Sequence, residues 1–307
     1  MLRNKDILEL KRRFKKENCT ITRMCGCYVD ASKNKVVELS ETFLNLEDEE
    51  FFKYLEIAKK TLSGTIGNNL LELHFASEEE EPGGKQQYLL GLRESGLKNP
   101  ELLAHLYDRI IENYDYVGNY LILVFHDAYD VITKTNDDLK LDESEEVFTY
   151  LLCAICPVNL SKPGLGYRAD LNRIGIRVQD WVVAAPDVGF LFPSFAERSA
   201  DIHSLTYYVR DAKDSHRDFI EAALGCGAKR TATEEHNAFR SIVKTAIAPI
   251  IEDSDEMLIN IQEKLNDIAE EHEAAMEDLV IVEPEEFTLT TEIIKEVFAD
   301  TKLPDAA

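Results

Sequence analysis

The sequence predicts an α+β fold: a mainly antiparallel central sheet, flanking helices, and an acidic, mainly helical C-terminal region. Three observations carry this expectation. Two short and nearly unbroken apolar runs, Asn119–Phe125 and Val147–Cys156, have the length and the β-branched and aromatic content of strands buried on both faces. The expected strands are joined by short connections, which favour antiparallel pairing because parallel strands need a crossover of roughly a dozen residues. Before and after this β-rich centre, apolar residues recur at helical spacing.

In chain order, Asn4 is placed to cap a first helix in which Ile7, Leu10 and Phe14 share one face. Lys11, Arg12, Lys15 and Lys16 lie off that stripe and make the helix basic and amphipathic. It docks either on the protein's own acidic body or on a partner, acidic protein or RNA. Thr20–Val29 and Lys35–Leu39 flank the polar stretch Asp30–Asn34 and read as a β-hairpin. Glu47–Leu62 is helical by the spacing of Phe51, Leu55, Ala58 and Leu62, with Lys59 and Lys60 favouring the dipole of its last turn. Gly64 then reads as a helix C-cap, since Ser63–Asn69 lacks both the preceding strand and the Lys of a phosphate-binding loop. Leu70–Phe75 is a strand.

The acidic and Gly-rich stretch Glu78–Gly84 reads as a solvated linker. It divides the α+β body of residues 1–228 into a helix and hairpin part, 1–80, and a sheet part, 85–228. Helices follow over Lys85–Ser95 and Pro100–Tyr114, the second with Asn99 as cap and Pro100 at its first position. Trp181–Ala185 and Val188–Phe192 are expected to form a tight hairpin about Pro186-Asp187, and Ile202–Val209 a further strand. Thr133–Glu146 and Ser161–Arg177 read as loops. The acidic region, 229–307, carries helices over Thr233–Ile247, Ser254–Ala275 and Thr290–Ala299 and a short strand, Leu279–Val282; an earlier helix spans His216–Leu224.

The chain of 307 residues is 45% apolar, too rich for a disordered protein. No run of 18 apolar residues is present to form a transmembrane helix. The first residues lack the apolar core of a signal peptide, so a cytoplasmic protein is expected. The net charge is −24, unevenly placed. Met1–Lys16 carries seven basic and two acidic residues, whereas Ile251–Asp300 carries 17 acids and two lysines. An acidic body repels nucleic acid and anionic membranes, which leaves the N-terminal helix as the one nucleic-acid candidate. Six cysteines without a signal peptide read as reduced thiols. In a strand, Cys153 and Cys156 point to opposite faces, which opposes a shared zinc ion. No metal or other cofactor is expected.

Chemistry is most plausible at His126, Asp127 and Asp130, directly after a buried strand. If strand geometry continues there, His126 and Asp130 face one way and Asp127 the other. A metal-assisted hydrolase and a plain polar turn both fit these residues. Arg168, Lys213 and His216, in two polar loops, are candidates for an anionic ligand should they converge. The common signatures of nucleophile elbows, zincins, dinucleotide folds and EF-hands are absent from the sequence.

The phrases Thr20–Asp30, Thr61–Asn68, Gly118–Val131, Cys156–Pro163 and Trp181–Phe195 resemble an uncharacterised family of similar length from Gram-positive anaerobic bacteria. The resemblance covers most of residues 1–225. It implies a bacterial cytoplasmic protein with one integrated α+β body, and it supplies no activity, ligand or catalytic residue. The leading expectation is a non-enzymatic binding or regulatory protein with an unidentified protein partner. The hydrolase and an RNA- or ribosome-associated protein are the alternatives, and homo-oligomerisation is open.

Overall fold

The computed structural model describes residues 2–131, 146–169, 171–196, 199–247 and 264. The chain divides into two compact units, Met1–Glu234 and Glu235–Ala307. The first holds an antiparallel sheet of eight strands covered on both faces.

Helix α1, Asn4–Arg13, opens the chain. Arg3, not Asn4, precedes its first turn, and no side chain caps it. Strands β1, Arg23–Val29, and β2, Lys35–Thr42, form the expected hairpin. Helix α2, Asp48–Lys60, is followed by β3, Leu70–His74. Helix α3 spans Lys85–Glu94 and α4 spans Pro100–Asn113, where the Asn99 side chain accepts from the Glu101 and Leu102 amides as a cap should.

The centre of the sheet is a long hairpin of β4, Asn119–Val131, and β5, Glu146–Leu160. A ribbon of β6, Leu165–Arg168, and β7, Arg173–Ile176, follows. Then come β8, Trp181–Val183, β9, Val188–Phe192, the small pair β10, Ser194–Ala196, and β11, Ser199–Asp201, and finally β12, Ser204–Val209. A short helix α5, Arg217–Phe219, runs on as a π-turn over Ile220–Leu224, and α6 spans Ala232–Ile247. Across the sheet the order is β2-β1-β4-β5-β9-β12-β3, with β8 on β5.

The two-sided cover explains the unbroken apolar runs. Along β4, Tyr120, Ile122 and Val124 enter a core shared with Leu89, Leu92, Leu106, Tyr107 and Ile110 of α3 and α4. Leu121, Leu123 and Phe125 enter a second core, with Ile7 and Leu10 of α1 and Phe51, Leu55 and Ala58 of α2. A strand with apolar partners on both faces has no reason to alternate with polar residues. Gly189 lies where α2 ends against the sheet. A Cβ there would come within 2.5 Å of the Cys153 carbonyl oxygen and of Thr61 Cγ2.

Two expectations are corrected. Trp181–Ala185 and Val188–Phe192 do not pair with each other. β8 pairs with Val158–Leu160 and β9 with Leu151–Ile155, so the two occupy successive stretches of one edge of the 15-residue β5. Ser161–Arg177 is not simply a loop, because it contains the β6–β7 ribbon. The segments Thr133–Glu146, Ser254–Ala275, Leu279–Val282 and Thr290–Ala299 lie wholly or almost wholly outside the described residues. Among the described residues no helix is long and apolar enough to cross a membrane.

Candidate functional site

Strand geometry does continue past Phe125, and it separates the first candidate set. His126 sits between Arg23 of β1 and Leu151 of β5, on the face of α3 and α4. Its Nδ1 lies 2.9 Å from Thr22 Oγ1, and the Arg93 backbone is a further hydrogen-bond partner. Burial lowers its pKa, and the neighbouring Asp127 only partly offsets this. Asp127 points into the opposite core and is 1% exposed. Its Oδ1 accepts from the Ala128 amide at 2.9 Å, and its Oδ2 accepts from the Tyr150 hydroxyl at 2.6 Å. Burial first, and then this carboxylate, push the Tyr150 phenol far above its usual range. His126 and Asp127 are therefore on different sides of the sheet, each bonded within the protein. The side chain of Asp130 is outside the described set.

The second set is not brought together either. Arg168 ends β6 on the projecting ribbon, whereas Lys213 and His216 follow β12. Lys213 donates its backbone amide to Asp211, closing a turn. His216 belongs to a cluster centred on Asp187, at the start of β9. Asp187 accepts from the Tyr114 hydroxyl at 2.7 Å and from Arg210 Nη2 at 2.7 Å, and His216 Nε2 stands 3.8 Å away. The cluster ties the end of α4, the start of β9 and the end of β12 to one carboxylate. His216 itself has φ of +54°, a left-handed backbone that costs a non-Gly residue on the order of 1 kcal/mol. His126 is opposite Leu151, which pairs with Phe192. Phe192 lies five positions beyond Asp187, so the two histidines stand roughly 16 Å apart along the strands.

Beside His216 lies a cavity of about 340 Å³ with Asp115, Asp214, Asp218 and Glu234 in its wall. Glu234 already has partners. It accepts from the Thr231 amide and from the Ser215 amide and hydroxyl, while its own amide donates to Thr231 Oγ1. This reciprocal pair is a capping box for α6. Among the described residues no group of three or more His, Cys, Asp or Glu side chains is placed to hold a metal ion.

In α1, Ile7, Leu10 and Phe14 are buried as their spacing predicts. Lys11 is half-buried, which lowers its pKa, and Lys59 and Lys60 of α2 lower it further. Arg12 and Lys15 are exposed. The side chain of Lys16 is not described. Arg12 and Lys15 therefore face outward from a helix that its apolar stripe anchors to the body.

Among the described residues, the β6–β7 ribbon stands out for its exposed apolar side chains. Leu165 pairs with Ile176 and Tyr167 with Ile174, and residues directly opposite in a ladder share a face. Those four large side chains, 63–77% exposed, make one face wholly apolar. The other face carries Gly166, Arg168, Arg173 and Gly175. The base of the ribbon is fixed: Ser161 N donates to the Asp180 carbonyl, Asp180 N to Ser161 Oγ, and Arg177 N to the Gly164 carbonyl. At its tip the Tyr167 hydroxyl donates to Asn172 Oδ1 at 2.7 Å. Trp181, Val182 and Val183 of β8, which follow that base in the chain, are exposed as well.

A family model described as a domain of unknown function, DUF4317, matches residues 2–306. The chain belongs to this family. A search of curated proteins found no match. Family membership agrees with the resemblance read from the sequence and assigns no activity to DUF4317 residues. The ribbon and the Asp187 cluster were both missed in the sequence. Alternation of Leu165 with Tyr167 and of Ile174 with Ile176 is the signal for the first. The second joins residues as far apart in the chain as Tyr114 and His216, and no local pattern marks it.

Proposed function

We propose that the protein is a non-enzymatic binding protein whose contact surface is the apolar face of the β6–β7 ribbon. The observation that carries this reading is the set Leu165, Tyr167, Ile174 and Ile176, side by side on one face and largely in solvent. An isolated two-stranded ribbon is marginal in water, and contiguous apolar surface on a folded protein marks an interaction site. The hydrolase reading has less support, because His126 and Asp127 lie on opposite faces of the sheet. For α1, the buried stripe supports docking on the body, with Arg12 and Lys15 left on the outer side.

The test is a photo-crosslinking amino acid at Tyr167 in the full chain, expressed in cells, with the same residue at Val117 as control. Val117 is 97% exposed and lies outside the ribbon. Protein adducts at Tyr167 and not at Val117 are expected. Equal or absent labelling at the two positions contradicts the reading.

A further inference from the structure

Resting on that reading, we propose that the ribbon's occupant is a second copy of this chain. The ribbon of each copy lies in the groove that α2 forms with the sheet on the other copy. Three observations point to this partner.

The first is charge. Ser161–Arg177 carries Lys162, Arg168, Arg173 and Arg177 against Asp170, a local charge of +3 in a chain of −24. An apolar ribbon backed by arginines fits an apolar surface rimmed by carboxylates. The second is that this chain has such a surface. A groove of about 510 Å³ is lined by Phe52, Ile57, Leu121 and Val183 and bordered by Glu49 and Glu50 of the first turn of α2. Lys53, also at the groove, pairs with Glu56 at 2.9 Å. Strands of four residues are about 13 Å long and α2 is about 20 Å long, so the ribbon fits along the helix. The ribbon does not fill the groove of its own copy, since its apolar side chains stay in solvent.

The third is area. The four side chains of the ribbon face, 63–77% exposed, present on the order of 500 Å², so two reciprocal contacts, each with the groove surface it covers, reach the range of a stable interface. Exchange of two ribbons about a two-fold axis makes this contact twice and leaves neither apolar face open. An anionic lipid surface would also attract the arginines, but the charge of the remaining chain opposes it.

Sedimentation velocity of the full chain over a range of concentrations tests the proposal, using three proteins. The wild type is expected to be a dimer at micromolar concentration. A ribbon variant, Tyr167→Asp with Ile174→Asp, and a groove variant, Glu49→Lys with Phe52→Lys, are each expected to weaken the dimer by about 100-fold. All four substituted side chains are exposed, so both variants should keep the far-UV circular dichroism of the wild type, which should melt higher only by what dimerisation adds to its native state. An equal mixture of the two variants keeps one intact contact out of two. It is expected to associate about tenfold more tightly than either variant alone.

A mixture that stays as dissociated as its components overturns ribbon-to-groove exchange. A wild type that remains monomeric, with Tyr167 crosslinked to another protein or bound to phosphatidylserine vesicles, overturns the second copy as occupant. Crosslinking to another protein leaves the ribbon standing as a protein contact surface, so the two failures are distinguishable. Should a variant lose that spectrum, the crosslink from Tyr167 in the otherwise unchanged chain decides: it must reach α2 of another copy.

Discussion

Tyr167 of β6 stands directly opposite Ile174 of β7, and the pair projects from the same side of the ribbon, 63% and 64% exposed. Cross-strand pairs of this kind usually stabilise a sheet by packing against a core. Here the same geometry faces water, while comparable pairs in the main sheet, such as Ile122 opposite Ile155, are fully buried. The ribbon thus has the pattern of a strand pair with one covered face, and among the described residues nothing covers it.

Because this face is in solvent, changing it should cost the fold little. At concentrations where the wild type is monomeric, Tyr167→Asp with Ile174→Asp is expected to alter unfolding free energy by less than about 1 kcal/mol, as exposed substitutions do. Chemical denaturation of the variant checks this, and a loss of several kcal/mol would place the ribbon in the core instead.

A substitution in the two-sided core should behave in the opposite way. Phe190 is 1% exposed in β9, and Phe190→Ala is expected to lower stability by about 3–5 kcal/mol. The midpoint of urea unfolding reads this directly.

Asp187 holds two partners at once, so its removal should couple to theirs. Asp187→Ala leaves the Tyr114 hydroxyl, otherwise bonded at 2.7 Å, buried and unpaired, for a loss of about 1–3 kcal/mol. With Tyr114→Phe already present, the same change should cost measurably less. A double-mutant cycle showing strict additivity contradicts the clamp.

The capping box predicts a pH dependence. Burial alone would raise the Glu234 carboxyl, but hydrogen bonds from Thr231 and Ser215 outweigh it and hold the group below its ordinary value of 4.5. A depressed carboxylate stabilises the fold fully above its unfolded pKa, and this contribution is lost as pH falls through the folded value. Wild type should therefore exceed Glu234→Gln in stability near neutral pH, with the gap closing below pH 4.5. Unfolding midpoints measured from pH 3 to 7 test the sign, and a gap that widens in acid contradicts it.

The thiols give an independent check on burial. Cys25, Cys27, Cys153, Cys156 and Cys226 are buried, and Cys19 is half-buried. Burial pushes the Cys27 thiol up to about 11 and Cys156 and Cys226 to about 12. Native alkylation at neutral pH should label Cys19 alone, and slowly, because burial raises its pKa too. Intact-mass spectra taken over time count the adducts, and rapid labelling of several thiols contradicts the packing.

Much of the fold was legible in the sequence because local periodicity and burial agree there. Phe51, Leu55 and Ala58 share a helix face and lie in the core, and the β4 and β5 runs are unbroken because each face is covered. Pairing was less legible. Nothing local in Trp181–Val183 shows that it continues along β5 instead of turning back on β9. Pro163, Gly164, Gly166 and Gly175 made the ribbon read as loop, since those residues interrupt a strand more often than they build one. His126 and Asp127 were conspicuous as neighbours in sequence, and a period of two sends such neighbours to opposite faces.

Hydrogen exchange on the full chain, followed as a function of protein concentration, tests the central claim most directly. The ribbon's few ladder bonds cannot protect its amides alone. Cover by a second copy predicts that protection of Leu165–Arg168 and Arg173–Ile176 rises with concentration, together with the first turn of α2, and disappears in Tyr167→Asp with Ile174→Asp. Ribbon amides that exchange at the same fast rate at every concentration would contradict it.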